Sequence, residues 1–137
     1  FGNLNNWWTE EDLEQFQNKA QAMIDEFDGL SLADATVNGK LTVSENIADA
    51  GGLSCALEAA KSEKDFSFEE FFVSWATIWR TKAKKEYQQL LLQIDVHAPA
   101  KLRANVQLQN IDEFYETFGI TEQDEMYQKP EKRVHIW

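Results

Sequence analysis

Two carboxylate side chains stand four residues apart in the segment Glu45-Asn46-Ile47-Ala48-Asp49-Ala50-Gly51-Gly52. Residues at positions i and i+4 of a helix project from the same face, so Glu45 and Asp49 are expected to lie side by side. Like charges at this spacing repel each other, which favours a use for them on a cation or a histidine. A hydrolytic zinc site takes three protein ligands, and a further carboxylate there orients a ligand histidine. An ordinary acidic helix face is the simpler alternative.

A second group of reactive side chains follows in Asp95-Val96-His97-Ala98-Pro99, with Arg103 six residues beyond His97. An imidazole can donate a hydrogen bond to a developing negative charge. A guanidinium binds carbonyl or carboxylate oxygens with a fixed geometry. Pro99 disfavours a helical conformation at Ala98, so His97 should lie in a loop. Taken alone, a histidine beside a proline is more often a satisfied loop residue than a catalytic one, and Arg103 is more often a surface ion-pair partner.

A long first helix is predicted upstream of the carboxylate pair. Thr9 precedes three acidic residues, which is typical of a helix N-cap followed by a first turn that the helix dipole stabilises. Apolar residues then recur at helical spacing as far as Asp28-Gly29, where the helix should end. Residues 29–41 contain turn-forming residues and predict a loop, with a turn at Asn38-Gly39.

The carboxylate pair itself is predicted to lie on a second helix. This helix should start near Thr42, because Glu45 stands three residues later in the position of a capping box. It should run to about Lys61. Gly51 and Gly52 cost helix stability, so their presence within it suggests a close approach of another backbone element.

Three further helical segments are expected. Ser67 with Glu70 forms a capping box, and the helix it opens has one broad apolar face. Residues 80–94 predict a second helical piece. Asn110 with Glu113 forms another capping box, for a short helix that ends near Phe118.

The composition excludes several classes of function. The 137-residue chain is 43% hydrophobic with 5 Trp and 9 Phe, which is enough apolar material for a sizeable core. A net charge of −11 does not suit a nucleic-acid surface, so no nucleic-acid partner is expected. No apolar run approaches the roughly 20 residues of a membrane span. Cys55 is the one cysteine in the sequence, so no disulfide can form within the chain.

Four segments of the chain resemble, in this order, segments of the neprilysin family of zinc endopeptidases, closest to its bacterial oligopeptidase branch. They are Gly2-Asn3-Leu4 through Trp7-Trp8, Glu45 through Leu53, Asp95 through Pro99 with Arg103, and Lys129-Pro130-Glu131-Lys132 to Trp137. These are similar to the loop after the family's HExxH helix, its third-ligand motif, its transition-state motif and its C-terminus. The resemblance implies a mostly α fold, the helical C-terminal portion of a zincin catalytic domain.

The resemblance also implies roles for four polar residues. Glu45 would be the third zinc ligand, and Asp49 would hydrogen-bond the first ligand histidine. His97 would hydrogen-bond the oxyanion of the tetrahedral intermediate, and Arg103 would hold a substrate backbone carbonyl. The whole enzyme would use one zinc ion to hydrolyse short peptides on the amino side of bulky hydrophobic residues.

Two apolar residues complete the implied site. Ile78 and Trp79 precede His97 as the family places its pair, and they look like part of the wall of the S1′ pocket. Both also belong to the apolar face of the helix that Ser67 opens, so core packing is an equal alternative for them.

The sequence departs from the family pattern in two ways. It contains no HExxH, so residues 1–137 are expected to form a single region, the C-terminal fragment of a neprilysin-like peptidase domain. Its partners would be the peptide substrate and the missing N-terminal part of the same polypeptide. Val134 stands where secreted and membrane-bound members carry the Cys of a CxxW ending. With Cys55 as the one thiol, this favours a cytoplasmic, bacterial enzyme.

A non-catalytic α-helical binding module is the alternative function. The lack of HExxH is natural for such a module. The joint retention of Glu45, Asp49, His97 and Arg103 argues against it, because a pure scaffold has no need of that set.

Overall fold

The computed structural model describes residues 2–136 as a mostly helical chain, which confirms the predicted fold class. A short antiparallel hairpin pairs Ser31–Leu32 (β1) with Ala35–Thr36 (β2), with Ser31 opposite Thr36. Trp137, the end of the fourth family-like segment, lies outside the described residues. The helices of the described part are Glu10–Phe27 (α1), Gly39–Ala60 (α2), Phe68–Ile78 (α3), Lys85–Ile94 (α4), Ala100–Leu108 (α5) and Asp112–Phe118 (α6).

Helix α1 begins and ends where the sequence predicts. The Thr9 hydroxyl accepts a hydrogen bond from the Asp12 backbone N–H at 3.1 Å, which satisfies one of the free donors of the first turn. The helix ends at Phe27, and the Asp28 N–H closes its last turn on the carbonyl of Ile24. Met23 and Phe27 are fully buried on its inner face.

Helix α2 begins earlier than predicted, at Gly39 rather than near Thr42. Its N-cap is Asn38, whose side-chain oxygen accepts from the Leu41 N–H at 3.0 Å. Asn38 had been assigned to a turn, and an N-cap uses the same preference of asparagine for hydrogen-bonding a nearby backbone. Thr42 is instead buried inside the first turn, where its hydroxyl accepts from Asn46 at 3.1 Å.

A glycine at the start of α2, Gly39, sets the contact between α1 and α2. A Cβ at Gly39 would lie 2.3 Å from the Ile24 carbonyl oxygen, a distance that backbone atoms cannot accommodate. The Gly39 N–H also donates to the Asp28 carboxylate at 2.8 Å. At Gly52, by contrast, a built Cβ would meet no other element of the described residues within 4 Å, so the predicted close approach is not found at this glycine.

Helices α3 and α6 pack against each other through aromatic rings. Ser67 caps α3 as predicted, since its hydroxyl accepts from the Glu70 N–H at 3.3 Å. Phe72 of α3 is almost fully buried, and its ring centroid lies 5.6 Å from that of Phe114 in an edge-to-face arrangement. Helix α6 ends at Phe118 as predicted but begins one residue later than predicted, because its N-cap is Ile111, without a side-chain cap.

Asn110, the predicted cap of α6, has a different use. It is buried, and its side-chain oxygen accepts from the Val134 N–H at 2.7 Å. Its amide group donates to the Glu26 carboxylate at 2.9 Å. The residue therefore joins α1 to the C-terminal segment, and a capping box would have required its side chain to turn back on its own helix.

Helix α5 was not predicted from the sequence. It is 9 residues long, and its N-cap, Pro99, offers no side-chain hydrogen bond. Its inner face is buried by Ala104, Val106, Gln107 and Leu108, so tertiary packing holds it in place.

Two clusters of buried side chains form the interior of the described chain. One joins α1 and α2 to α5 and to the C-terminal segment, where Val134 and Ile136 are buried. The other is rich in aromatic residues and joins the second half of α2 to α3 and α6. In the described part of the chain, no helix combines the length and apolar character of a membrane crossing.

Candidate active site

Helix α2 carries the carboxylate pair along the edge of the first cluster. Asn46 and Ile47 point inward and are buried, while Glu45 and Asp49 lie on the adjoining, partly exposed face. Gln107 of α5 donates from its side-chain amide to the Asn46 backbone carbonyl at 2.9 Å and so ties α5 to this turn of α2. The predicted helical placement of Glu45 and Asp49 is therefore observed.

His97 lies between two carboxylates. Its Nε2 is 3.3 Å from the Glu45 Oε2, and its Nδ1 is 2.7 Å from the Asp95 Oδ1. Asp95 also accepts from the His97 backbone N–H at 3.0 Å. The ring is thus oriented by the loop that precedes α5, and its side chain is 44% exposed toward the open side of the site.

The hydrogen bonds around His97 keep Asp95 ionised. The backbone N–H of His97, and next its imidazole, hold the pKa of the Asp95 carboxyl below its usual range. The contact of Asp95 with Nδ1 also orients the ring, so that Nε2 faces away from Asp95.

Arg103 of α5 reaches back to the second carboxylate of α2. Its Nε and Nη2 donate to the two oxygens of Asp49 at 2.7 and 2.8 Å, a bidentate pair. The two side chains are only 17% and 12% exposed. The guanidinium carbon also lies 4.0 Å from the ring centroid of Trp79, so the ring covers one face of the charge.

A cavity of about 700 Å³ opens beside these residues. Trp79, Asp95, His97 and Arg103 line it, together with the beginning of α5. Ile78 is 65% exposed and does not line the cavity. The structure therefore brings together Glu45, Asp49, His97, Arg103 and Trp79 of the predicted site and leaves Ile78 outside this group.

Two features of this site have no counterpart among the predictions from the sequence. Asp95 was quoted within its motif without a function, although its position two residues before a loop histidine could have indicated a hydrogen bond to the ring. The pairing of Asp49 with Arg103 joins residues 54 positions apart. No periodic pattern in the sequence predicts a contact at that separation, because it depends on the packing of α5 against α2.

The described side chains can supply one ligand of a zinc site, Glu45, but not a complete set of ligands. The described residues contain no group of three His, Cys, Asp or Glu placed to hold a metal ion. A hydrolytic zinc site requires three protein ligands. The Glu45 side chain is 37% exposed, so its carboxylate could join ligands supplied from elsewhere. A carboxylate of this kind is a normal oxygen ligand for zinc.

Several known proteins are similar to this chain in sequence, and solved structures are similar to it in fold. The chain is 58% identical over 136 residues to a neutral endopeptidase of Lactococcus lactis subsp. lactis, covering 99% of the chain and 22% of that protein. It is 32% identical over 151 residues to neprilysin-3 of Drosophila melanogaster, covering 19% of that protein.

Two solved structures superpose on the chain. The zinc metalloprotease of Mycobacterium tuberculosis, solved with an inhibitor, matches with a TM-score of 0.90 and 34% identity over 99% of this chain and 23% of that chain. PepO from Lactobacillus rhamnosis matches with a TM-score of 0.88 and 43% identity over 97% of this chain and 21% of that chain. The chain thus spans about a fifth of the length of these relatives.

The class that the fold and site indicate is a zinc metallopeptidase, and residues 1–134 match peptidase family M13. The chain belongs to this family, as the resemblance to neprilysin predicted.

Proposed function

We propose that this chain is the C-terminal catalytic part of a zinc-dependent endopeptidase that hydrolyses short peptides on the amino side of bulky hydrophobic residues. A further segment of the same polypeptide would supply the two zinc-binding histidines and the general base. The observation that carries the proposal is the approach of His97 to Glu45 at 3.3 Å, because it places an imidazole beside the carboxylate of the proposed metal ligand.

Each polar residue of the site has a definite task in this proposal. Glu45 would supply the third zinc ligand, and zinc, when bound, polarises the scissile carbonyl. His97, held by Asp95, would donate a hydrogen bond to the oxygen that becomes negative in the transition state. Such a preorganised donor commonly contributes about 100- to 1,000-fold in rate.

Arg103 and Asp49 would act as a linked pair. The bidentate bond to Asp49 and the ring of Trp79 fix the plane of the guanidinium, which leaves its Nη1 group free of these two contacts and able to donate to a substrate carbonyl. Asp49 would also orient an incoming ligand histidine, because a carboxylate has lone pairs to spare after accepting two hydrogen bonds. Trp79, which lines the cavity, would contribute apolar surface for the side chain that follows the scissile bond.

The test is a comparison of two carboxylate substitutions on α2 in the complete protein. Glu45→Gln should reduce both bound zinc, measured by metal analysis, and hydrolysis of an internally quenched peptide, by at least about 1,000-fold for the latter. Glu58→Gln is the matched control, because Glu58 lies on the same helix with a side chain that is 71% exposed.

Two results would contradict the proposal. Unchanged zinc content in the Glu45→Gln protein would remove Glu45 from the metal site. A complete wild-type protein with neither bound zinc nor hydrolysis would favour the non-catalytic binding module.

A further inference from the structure

Two sets of hydrogen bonds join α5 to α2, an outer pair at the edge of the site and an inner bond in the interior. In the outer pair, Arg103 binds both oxygens of Asp49 at 2.7 and 2.8 Å. In the inner bond, the side-chain amide of Gln107 donates to the Asn46 backbone carbonyl at 2.9 Å. Gln107 stands four residues after Arg103, and Asn46 stands three residues before Asp49. Residues at these spacings share one face of a helix, so the two sets lie about one turn apart along the same contact.

The outer pair and the inner bond differ in their exposure to solvent. The side chains of Arg103 and Asp49 are 17% and 12% exposed, whereas Gln107 and Asn46 are each 1% exposed. In the proposed function, the outer pair also takes on further partners, a substrate carbonyl at Arg103 and a ligand histidine at Asp49. Of the two sets, the inner bond is therefore the one that stays unchanged while these partners bind.

Stability of the fold does not account for the buried amide of Gln107. The Asn46 carbonyl lies in the middle of α2, where the backbone N–H of the next turn bonds it, so it would keep a partner without Gln107. The Gln107 Oε1 has no hydrogen-bond partner among the described residues. Burial of such an oxygen costs free energy that an apolar side chain of the same length would not cost. The residue type therefore indicates a role in geometry.

We infer that Gln107 is a positioning residue for substrate binding and that it acts through Arg103. By fixing the distance and register of α5 against the Asn46 turn of α2, it keeps the guanidinium aligned with a substrate carbonyl while Asp49 engages a second partner. The inference rests on the proposed function, because that function gives Arg103 its contact with the substrate. His97 depends less on this bond, since it lies in the loop before α5 and Asp95 orients its ring.

The first experiment replaces the amide with an apolar side chain of similar length in the complete protein. Gln107→Met should raise KM for a quenched peptide about 10-fold and leave kcat within about 2-fold, because a misaligned Arg103 weakens binding of the substrate and of the transition state alike. Its Tm should be unchanged or higher, because no buried amide oxygen remains.

Gln109→Met is the matched control for this substitution. Gln109 is the C-cap of the same helix, two residues further on, so it lies on nearly the opposite side of α5 from Gln107. The control should keep the KM and kcat of the wild type.

A second experiment asks whether Gln107 acts through Arg103. In an Arg103→Lys protein the bidentate geometry is already lost, so the addition of Gln107→Met should change KM by less than about 2-fold. A Gln107 that acted independently of Arg103 would raise KM by the same factor in both backgrounds.

The inference alone fails if the complete wild-type protein is active and Gln107→Met keeps its KM. It also fails if KM rises equally in the two backgrounds. Gln107→Leu provides a second apolar variant. If Gln107→Met and Gln107→Leu both fail to fold, or lose active protein at an unchanged KM, Gln107 serves stability and the inference is wrong. A complete wild-type protein that hydrolyses nothing would overturn the proposed function itself, and the inference with it.

Discussion

Two partly buried carboxylates in this chain, Asp49 at the site and Glu26 on α1, both accept hydrogen bonds, but the donor is a cation at Asp49 and a neutral amide at Glu26. Asp49 faces a guanidinium that donates to both of its oxygens. Glu26 receives one bond from the neutral amide of Asn110, and its Oε1 has no partner among the described residues. Burial therefore raises the pKa of Glu26 to about 7. A cation beside a carboxylate stabilises its ionised form, whereas a partly buried carboxylate without a cation is more stable in its protonated form.

Asp49 and Asn110 also show two different ways in which a polar side chain is held in place. At the site, the negative charge of Asp49 is matched by the positive charge of Arg103 in a bidentate pair. In the interior, Asn110 serves as a neutral connector between α1 and the C-terminal segment. The following predictions change one member of each network, from the largest expected effect to the smallest.

Loss of the His97 ring should have the largest effect. His97→Gln in the complete protein should lower kcat by about 100- to 1,000-fold with a smaller change in KM, because the donor would act on the transition state. Steady-state kinetics on one peptide measures both constants. A rise in KM at constant kcat would instead assign His97 to substrate binding.

Breaking the Asp49–Arg103 pair should cost stability as well as activity. Arg103→Met leaves the Asp49 carboxylate mostly buried beside no cation, at a cost of about 3 kcal/mol. Arg103→Lys keeps the charge but loses the bidentate geometry, so its effect on Tm should be smaller. Differential scanning calorimetry of the complete protein checks this order. Equal losses in the two variants would show that the charge contributes nothing.

Removing the ionisation of Glu26 should stabilise the protein at neutral and higher pH. A carboxyl whose pKa rises from 4.5 in the unfolded chain to about 7 in the folded one binds more protons when folded, so stability falls as pH rises through this window. Glu26→Gln should abolish that fall and gain about 2 kcal/mol above pH 7, with little change at pH 4.5.

Hydrogen exchange at the Val134 amide gives a local measure of the Glu26 effect. This N–H is bonded to Asn110, the partner of Glu26, so its protection factor should depend on pH in the wild type and much less in the Glu26→Gln protein. The same pH dependence in both proteins would remove Glu26 from the network.

A substitution in an exposed ion pair should have the smallest effect on stability. It gives the reference value for the loss of the partly buried Asp49–Arg103 pair. Lys61 contacts Glu58 at 2.6 Å and also pairs with Glu113, and these side chains remain 29% to 71% exposed. Lys61→Met should change stability by less than about 1 kcal/mol, and by less still in high salt. A loss as large as that of Arg103→Met would mean that burial does not distinguish the two pairs.

Local signals in the sequence predicted much of the fold. Thr9 and Ser67 mark their helices correctly because an N-cap acts on its own first turn. The predictions for Asn38 and Asn110 were wrong because an asparagine side chain can form hydrogen bonds in a turn, at a helix cap or with a distant buried group. Which of these bonds forms depends on residues far away in the sequence. Helix α5 carries no capping residue and was missed, since packing against α2 decides it.

The candidate site was predicted by residue type but not by contact. Glu45, Asp49, His97 and Arg103 were named from their motifs, and they lie together. The pairing of Asp49 with Arg103 follows from the packing of α5 against α2. Such contacts join residues far apart in the sequence, which local patterns do not encode.

Val134 and Ile136 share a buried cluster with Met23 and Phe27 of α1. A ribosome adds about 5 to 20 residues per second, so some 5 to 20 seconds separate the synthesis of α1 from that of these two side chains. During that time α1 has emerged, but the cluster it belongs to lacks part of its wall. Chaperones that bind exposed apolar segments therefore have a window in which to act on α1, and that window closes only when residues 134–136 leave the exit tunnel.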